Sequence, residues 1–264
     1  MMPLTVLNAD ACEALRGFPD GSVDLTVTSP PYDNLRTYGG HSWDFEGIAR
    51  ELYRVTCDGG VVCWNVGDSV LDGSETLTSV KQKIFFREEC GFRIHDTMIY
   101  EKTNFAHPEK ARYHQTFEYV FILSKGRPKA WNPICDKKNT WAGTGTFGRN
   151  SMREPSGEMT VRPRNIIAEF GMRGNVWRGD TSGQEGALCQ GSIHPAKMPS
   201  WLAHDLILSW SNVGDTVLDP FGGSGTTGRE ALQLGRKSIL IEINPDYIPI
   251  IERECTVTLG LALA

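Results

Sequence analysis

At 264 residues and 40% apolar content, the chain can bury one substantial core or one core carrying an inserted lobe, and no apolar run in it is long enough to span a bilayer. Its seven cysteines are odd in number, scattered and without a Cys-x-x-Cys pair, and its six histidines show no ligand spacing, which argues against a disulfide framework or a metal site and for reduced thiols in the cytoplasm. The net charge of −5 argues against a uniformly basic surface, yet 11 Lys and Arg against 4 Asp and Glu lie between Lys125 and Arg178, so a nucleic-acid face on an acidic body is expected.

Leu4 to Leu7 reads as a short strand ending at Asn8-Ala9-Asp10, followed by a short helix from Ala11 to Phe18 and a Pro19-Asp20-Gly21 turn. The β-branched run from Val23 to Thr28 reads as a buried strand that stops at Ser29-Pro30-Pro31-Tyr32, because consecutive prolines fix φ and remove two donors. The carbonyls of Ser29 and Pro30 are thereby released from ladder geometry and can face a cleft as acceptors, with Tyr32 as a flat surface beside them. That combination suits a planar ligand carrying an amino group. Taken alone, the same residues read as a strand running into a proline turn, and a second motif elsewhere in the chain is needed to overturn that. The polar loop from Asp33 to Ser42, with Arg36 and Tyr38, is placed to close over a bound group.

Apolar spacing predicts a helix from Trp43 to Val55, ended by Asp58-Gly59-Gly60, and a central strand from Val61 to Val66. A helix from Thr76 to Cys90 and strands near Phe92 to Tyr100 and Phe117 to Leu123 follow, the last two as an antiparallel edge, with a polar loop from Asn104 to Gln115 between them. Alternating helices and strands predict a largely parallel sheet covered on both faces. From Ser124 to about Gly191 the periodicity disappears among Gly, Arg and Trp, and a patternless stretch of that length inside an enzyme points to a functional segment. Order returns with a helix from Ser200 to Trp210, a strand from Asp215 to Phe221, a glycine-rich turn from Gly222 to Gly228, a helix from Arg229 to Leu234, a strand from Ser238 to Glu242 and a last helix from Pro245 to Val257.

A strand, a glycine-rich turn, a helix and a strand ending in a carboxylate form the nucleotide-binding half of a doubly wound sheet. Gly223, Gly225 and Gly228 match Gly-x-Gly-x-x-Gly, and Glu242 follows Gly225 by 17 residues, near the spacing of a ribose-binding acid. This pattern fits a dinucleotide or another adenosine cofactor. Asp219, at the tip of the first strand, would repel a pyrophosphate but could pair with an ammonium group. S-adenosyl-L-methionine carries that group and no phosphate.

Asp219-Pro220-Phe221-Gly222-Gly223-Ser224-Gly225-Thr226-Thr227 resembles the cofactor motif of the amino-group DNA methyltransferases, and Thr28-Ser29-Pro30-Pro31-Tyr32 resembles their catalytic motif. The catalytic motif comes first, with the basic irregular region between the two, and this order resembles the circularly permuted β group. His194-Pro195-Ala196-x-x-Pro199 is similar to the family's element before the cofactor strand, so the resemblance covers nearly the whole chain. It implies an α/β fold with a doubly wound, mostly parallel Rossmann-like sheet: residues 1–124 as the catalytic half, 125–193 as the target recognition region and 194–264 as the cofactor-binding half. It implies catalytic roles for Ser29, Pro30, Pro31 and Tyr32. Around the cofactor it implies Asp10, which matches the position that contacts the adenine amino group, with Ala11, Thr28 and Pro195. From the cofactor motif it adds Asp219, Phe221, Gly222, Gly223, Ser224, Gly225 and Thr226, and from the next strand Glu242 and Ile243. Arg36, Tyr38, Arg149, Arg153, Arg162 and Arg164 become candidate DNA contacts. No metal is expected.

An exocyclic amine is a poor nucleophile because its lone pair is delocalised into the ring. If the Ser29 side chain and the Pro30 carbonyl accept its two hydrogens, the nitrogen moves toward sp³ geometry and can meet a sulfonium methyl in line. No Pro-Cys dipeptide supplies the thiolate that a ring-carbon methyltransferase needs. Duplex DNA hides the amine, so the base must be flipped out, with Tyr32 as its stacking partner. Within the family Ser-Pro-Pro-Tyr is more typical of N4-cytosine enzymes and Asp-Pro-Pro-Tyr of N6-adenine ones, and Met198, where many adenine enzymes have lysine, leans the same way. The expected activity is therefore site-specific methylation of cytosine N4 in double-stranded DNA from S-adenosyl-L-methionine. N6 of adenine is the alternative, and a protein-glutamine or RNA methyltransferase a more distant one. A nicotinamide-dependent oxidoreductase would leave the Ser-Pro-Pro-Tyr rim and the basic segment unexplained, and a DNA-binding module without catalysis would not need Ser29, Tyr32, Asp219 and Glu242 together. No membrane partner is expected, whereas a homodimer and a cognate restriction endonuclease are both compatible with the resemblance.

Overall fold

A computed structural model describes residues 3–31, 43–104, 112–145, 151–161, 165–180 and 197–262. Strand β1 (Leu4–Asn8) leads into helix α1 (Ala11–Arg16), whose N-cap Asp10 accepts the Glu13 backbone N–H at 3.0 Å. β2 (Val23–Thr28) is followed by α2 (Phe45–Val55), capped by Asp44 and burying Ile48, Ala49, Leu52 and Val55 along one face. Next come β3 (Thr56–Val66), α3 (Thr78–Glu88), β4 (Arg93–Lys102), β5 (Phe117–Ser124) and β6 (Val176–Gly179). The C-terminal part supplies α4 (Ser200–Trp210), β7 (Thr216–Asp219), α5 (Thr226–Gln233), β8 (Lys237–Glu242), a 3₁₀ turn at Pro245–Tyr247 and α6 (Ile248–Ala262).

The eight strands form one sheet in the order β1-β8-β7-β2-β3-β5-β4-β6. β1, β8, β7, β2 and β3 run parallel, β5 is antiparallel to both β3 and β4, and β6 pairs parallel with β4. This is the doubly wound, mostly parallel α/β sheet that the alternation of elements predicts. β4 and β5 are not its edge, however, because Val176–Gly179 adds an outer strand beyond β4. Asp58-Gly59-Gly60 likewise lies inside β3 instead of closing the preceding helix. Gly59, at φ +77°, donates to the Lys125 carbonyl at 2.7 Å, and the pairing register with β2 shifts between Val23 and Leu25, so the glycine makes an irregularity in a long strand. The final helix begins at Ile248, after the 3₁₀ turn that Pro245 opens.

On one face of the sheet, α1, α2 and α3 cover a core in which Leu15, Ile48, Leu52, Trp64 and Phe86 are fully buried. Its rings meet edge to face, Trp64 with Phe86 at 5.1 Å and Phe45 with Phe86 at 5.4 Å. Trp43 reaches Phe221 at 5.2 Å and so ties this core to the residue before the glycine-rich turn. Elsewhere Leu232 of α5, Leu240 of β8 and Ile251 and Cys255 of α6 form a second cluster. Each fully buried large apolar side chain contributes roughly 1.5–3 kcal/mol, so these clusters hold the strand ends of the sheet in fixed relation.

Pro133–Gly174 form a separate compact unit. It contains two short antiparallel pairs, Ser151–Arg153 with Met159–Val161 and Lys137–Lys138 with Phe170–Gly171. Arg173 makes a two-pronged ion pair with Asp136, and that guanidinium holds the Asp136 carboxyl below its ordinary range.

Candidate active site

The C-terminal ends of the parallel strands carry most of the residues singled out above. β2 and β7 are neighbours, with Thr26 in register with Leu218, so the Ser-Pro-Pro end of one lies beside the Asp219 end of the other. Thr28 Oγ1 donates to Asp219 Oδ1 at 2.6 Å, and the Phe221 backbone N–H donates to the same oxygen at 3.0 Å. Asp219 is buried, and burial pushes its carboxyl up to about 6 despite these two hydrogen bonds, with the charge of Glu242 adding to the rise. A cation beside this carboxyl would favour its ionised form.

The turn after β7 is held from β8. Gly222 N–H donates to the Ile241 carbonyl at 2.7 Å and Gly223 N–H to Glu242 Oε2 at 2.8 Å, while Glu242 Oε1 accepts the Asn244 N–H at 2.8 Å. The Glu242 carboxylate therefore orders the turn with one lone pair on each oxygen, and a carboxylate has about four acceptor sites. Gly223 and Gly225 sit at φ +51° and +85°, and a Cβ on Gly225 would lie 3.2 Å from Ile251 Cα. Gly228 serves a different purpose: a Cβ there would stand 2.5 Å from Leu240 Cδ1 and 3.1 Å from Cys255 Sγ, so its absence lets α5 pack on β8 and α6. The result is a bare-backbone cradle at the start of α5, edged by Ser224 and Thr226, whose hydroxyls lie 3.3 Å apart.

β1 closes one side of this cradle. Asn8 Nδ2 donates to the carbonyls of Glu242 at 2.9 Å and Ile243 at 3.1 Å, and Ala9 N–H reaches the Glu242 carbonyl at 3.1 Å. These bonds bring Asp10 and Ala11 next to Ile243. Sequence reading passed over Asn8, although an asparagine at a strand end just before a helix N-cap is a recognisable bridging position.

On the other side, Pro30 is buried and Ser29 and Pro31 are half-buried. Asn65 of β3 places Nδ2 3.5 Å from Ser29 Oγ and donates from the same nitrogen to Glu118 Oε2 of β5 at 2.7 Å. Glu118 Oε1 in turn pairs with Lys102 of β4 at 2.6 Å. The only signal for Asn65 in the sequence was a lone amide in an otherwise apolar strand. Glu118 and Lys102 had none.

Asp10, Ala11, Thr28, Ser29, Pro30, Pro31, Asp219, Phe221, Gly222, Gly223, Ser224, Gly225, Thr226, Glu242 and Ile243 thus meet at one end of the sheet. Tyr32, Arg36, Tyr38, Arg149, Arg162, Arg164 and Pro195 lie outside the described residues, and Arg153 is described only as backbone, in the strand Ser151–Arg153. Among the described residues no group of three or more His, Cys, Asp or Glu could hold a metal ion, and no helix is long and apolar enough to cross a membrane. The arrangement sets bare backbone and two buried carboxylates, Asp219 and Glu242, beside a rim of acceptors at the end of β2.

A family model described as DNA methylase matches residues 23–253. The orphan methyltransferase M.BamHII of Bacillus amyloliquefaciens is 50% identical over 233 residues, covering 88% of this chain and 88% of its own. Among solved structures, the PvuII DNA methyltransferase (cytosine-N4-specific) superposes with a TM-score of 0.69 at 20% identity, covering 98% of this chain and 92% of its own. A DNA modification methylase from Thermus thermophilus, complexed with S-adenosyl-L-methionine, superposes with a TM-score of 0.61 at 22% identity, covering 96% and 93%.

Proposed function

The chain belongs to the N6/N4 DNA methylase family and is a DNA methyltransferase, and from this premise we propose that it transfers a methyl group from S-adenosyl-L-methionine to N4 of a cytosine flipped out of duplex DNA. The observation that carries the reading is the Thr28–Asp219 hydrogen bond of 2.6 Å, which locks the amine-accepting rim of β2 to the cofactor end of β7. The cradle fits the cofactor: Gly225 leaves backbone where a Cβ would crowd Ile251, Asp219 offers a buried carboxylate to an ammonium group, and Glu242 brings a carboxylate that can accept from ribose hydroxyls. Asp10 and Ile243 would hold its adenine. When bound, S-adenosyl-L-methionine supplies an electrophilic methyl group on a sulfonium centre.

The protein's task is to make the amine nucleophilic and aim it. Ser29 Oγ and the Pro30 carbonyl accept the two N–H bonds, which pulls the lone pair out of conjugation and points it away from the rim. Pro30 and Pro31 keep that carbonyl fixed, because neither can rotate about φ. Tyr32 stacks on the base and Arg36 and Tyr38 help to support the flipped state. The basic residues of 125–193, among them Arg149, Arg153, Arg162 and Arg164, engage phosphates and base edges of the target. The half-chains 1–124 and 194–264 are the catalytic and cofactor-binding halves of one domain. Cytosine is preferred to adenine because the rim begins with serine.

Incubating the protein with duplex DNA and methyl-labelled cofactor, then separating the nucleosides, tests this directly. Label in N4-methyldeoxycytidine is the expected outcome, label in N6-methyldeoxyadenosine would replace the base assignment, and label only in RNA or protein would overturn the proposal. In the same assay Ser29→Ala lowers kcat by at least about tenfold with little change in cofactor affinity.

A further inference from the structure

The polar residues beyond Ser29 form a row across four strands. Thr28 pairs with Trp64, so Ser29 follows on beside Asn65; Asn65 is in register with Val120, and Glu118, two residues earlier on β5, is in register with Tyr100 of β4, two residues before Lys102. The two-residue period of a strand puts Asn65, Glu118 and Lys102 on one face at the same end of the sheet. Glu118 and Lys102 are mostly buried there, with side chains 14% and 23% exposed. Charged groups are costly to bury unless paired, so a pair held at this depth needs a reason.

The reason lies in the amide between the pair and the rim. An ionised carboxylate only accepts, so the Asn65 atom 2.7 Å from Glu118 Oε2 must be the NH₂ group, and the amide cannot flip. The same nitrogen faces Ser29 Oγ 3.5 Å away, a separation of the kind that shortens when a reacting group enters a site. Resting on the assignment of Ser29 as an amine acceptor, we infer that Asn65, clamped by the Glu118–Lys102 ion pair, is a positioning residue that orients the Ser29 hydroxyl toward the target amine. A donor on one side of Ser29 Oγ restricts the direction from which that oxygen can accept a further hydrogen. Because an amide neither takes up nor releases a proton near neutral pH, the clamp sets direction without taking part in proton transfer.

A double-mutant cycle of Ser29→Ala and Asn65→Ala, measured by methyl transfer to duplex DNA, tests the link. Asn65→Ala lowers kcat by up to about 100-fold in the wild-type background, with KM for DNA and cofactor nearly unchanged. In the Ser29→Ala background it costs little more, since the group it acts through is gone. Glu118→Gln, which keeps an acceptor for Asn65 but loses the charge partner of Lys102, gives an intermediate loss and serves as the second probe should Asn65→Ala fail to fold. Equal cost of Asn65→Ala in both backgrounds, or an effect confined to KM, would overturn the inference. Wild-type kcat in Ser29→Ala alone would instead overturn the acceptor role of Ser29 itself, a different failure with a different signature.

Discussion

Asp219 concentrates the residue-scale chemistry. It accepts from Thr28 and from the Phe221 backbone, yet burial leaves its carboxyl near 6. In the role proposed for it, a bound ammonium favours the ionised carboxylate and expels the proton that the cofactor-free protein holds below that value. Affinity for S-adenosyl-L-methionine is therefore full above pH 6 and falls as pH drops below it, by up to about tenfold per pH unit. Calorimetric titration between about pH 5 and 8 measures this, and a flat profile would remove Asp219 from cation binding. Asp219, Glu242 and Ser29 were legible in the sequence because their chemistry is declared by residue type at the end of an apolar run. Asn65, Glu118 and Lys102 were not, because their meaning depends on strand register, which brings residues 36 and 53 positions apart into contact.

At the scale of elements, the glycine-rich segment divides its labour. Gly223 and Gly225 supply left-handed backbone at the turn, while Gly228, inside α5, supplies closeness to β8 and α6. Gly228→Ala forces a methyl to 2.5 Å from Leu240 Cδ1 and destabilises the fold by about 1–3 kcal/mol, read as a lower urea midpoint at unchanged m. An unchanged midpoint would show that β8 and α6 yield at no cost. Helices with a clean apolar stripe and a cap, such as α2 behind Asp44, were predicted to within two residues. β3 was cut short because Asp58-Gly59-Gly60 is locally a helix stop, and only backbone hydrogen bonds of Gly59 and Gly60 with Lys125 and Lys129, just past β5, draw those residues into a strand. β6 escaped notice altogether: four residues ending in glycine carry no periodicity of their own and become a strand through pairing with Ile99 to Lys102.

At the scale of the whole molecule, a sheet that builds the chemistry and a separate compact unit, Pro133–Gly174, share one chain. The excess of basic residues falls largely within that unit and the segments flanking it. If it engages duplex DNA through phosphates, Lys137→Ala combined with Lys138→Ala reduces the slope of log K against log salt by up to about 2, as measured by fluorescence anisotropy. A slope equal to that of the wild type would place both lysines off the DNA. The amino-acid sequence by itself determined the doubly wound class, the two motifs and their order, since apolar periodicity, proline and glycine act over a few neighbouring residues. The tertiary structure alone decided that the two motifs, 191 residues apart at Thr28 and Asp219, stand side by side at the ends of adjacent parallel strands, where Thr28 donates to Asp219. It also decided which polar residues stand behind the serine. Pairing across a sheet is a non-local choice, made when the buried faces of all eight strands are satisfied together, and no short stretch of the chain records it.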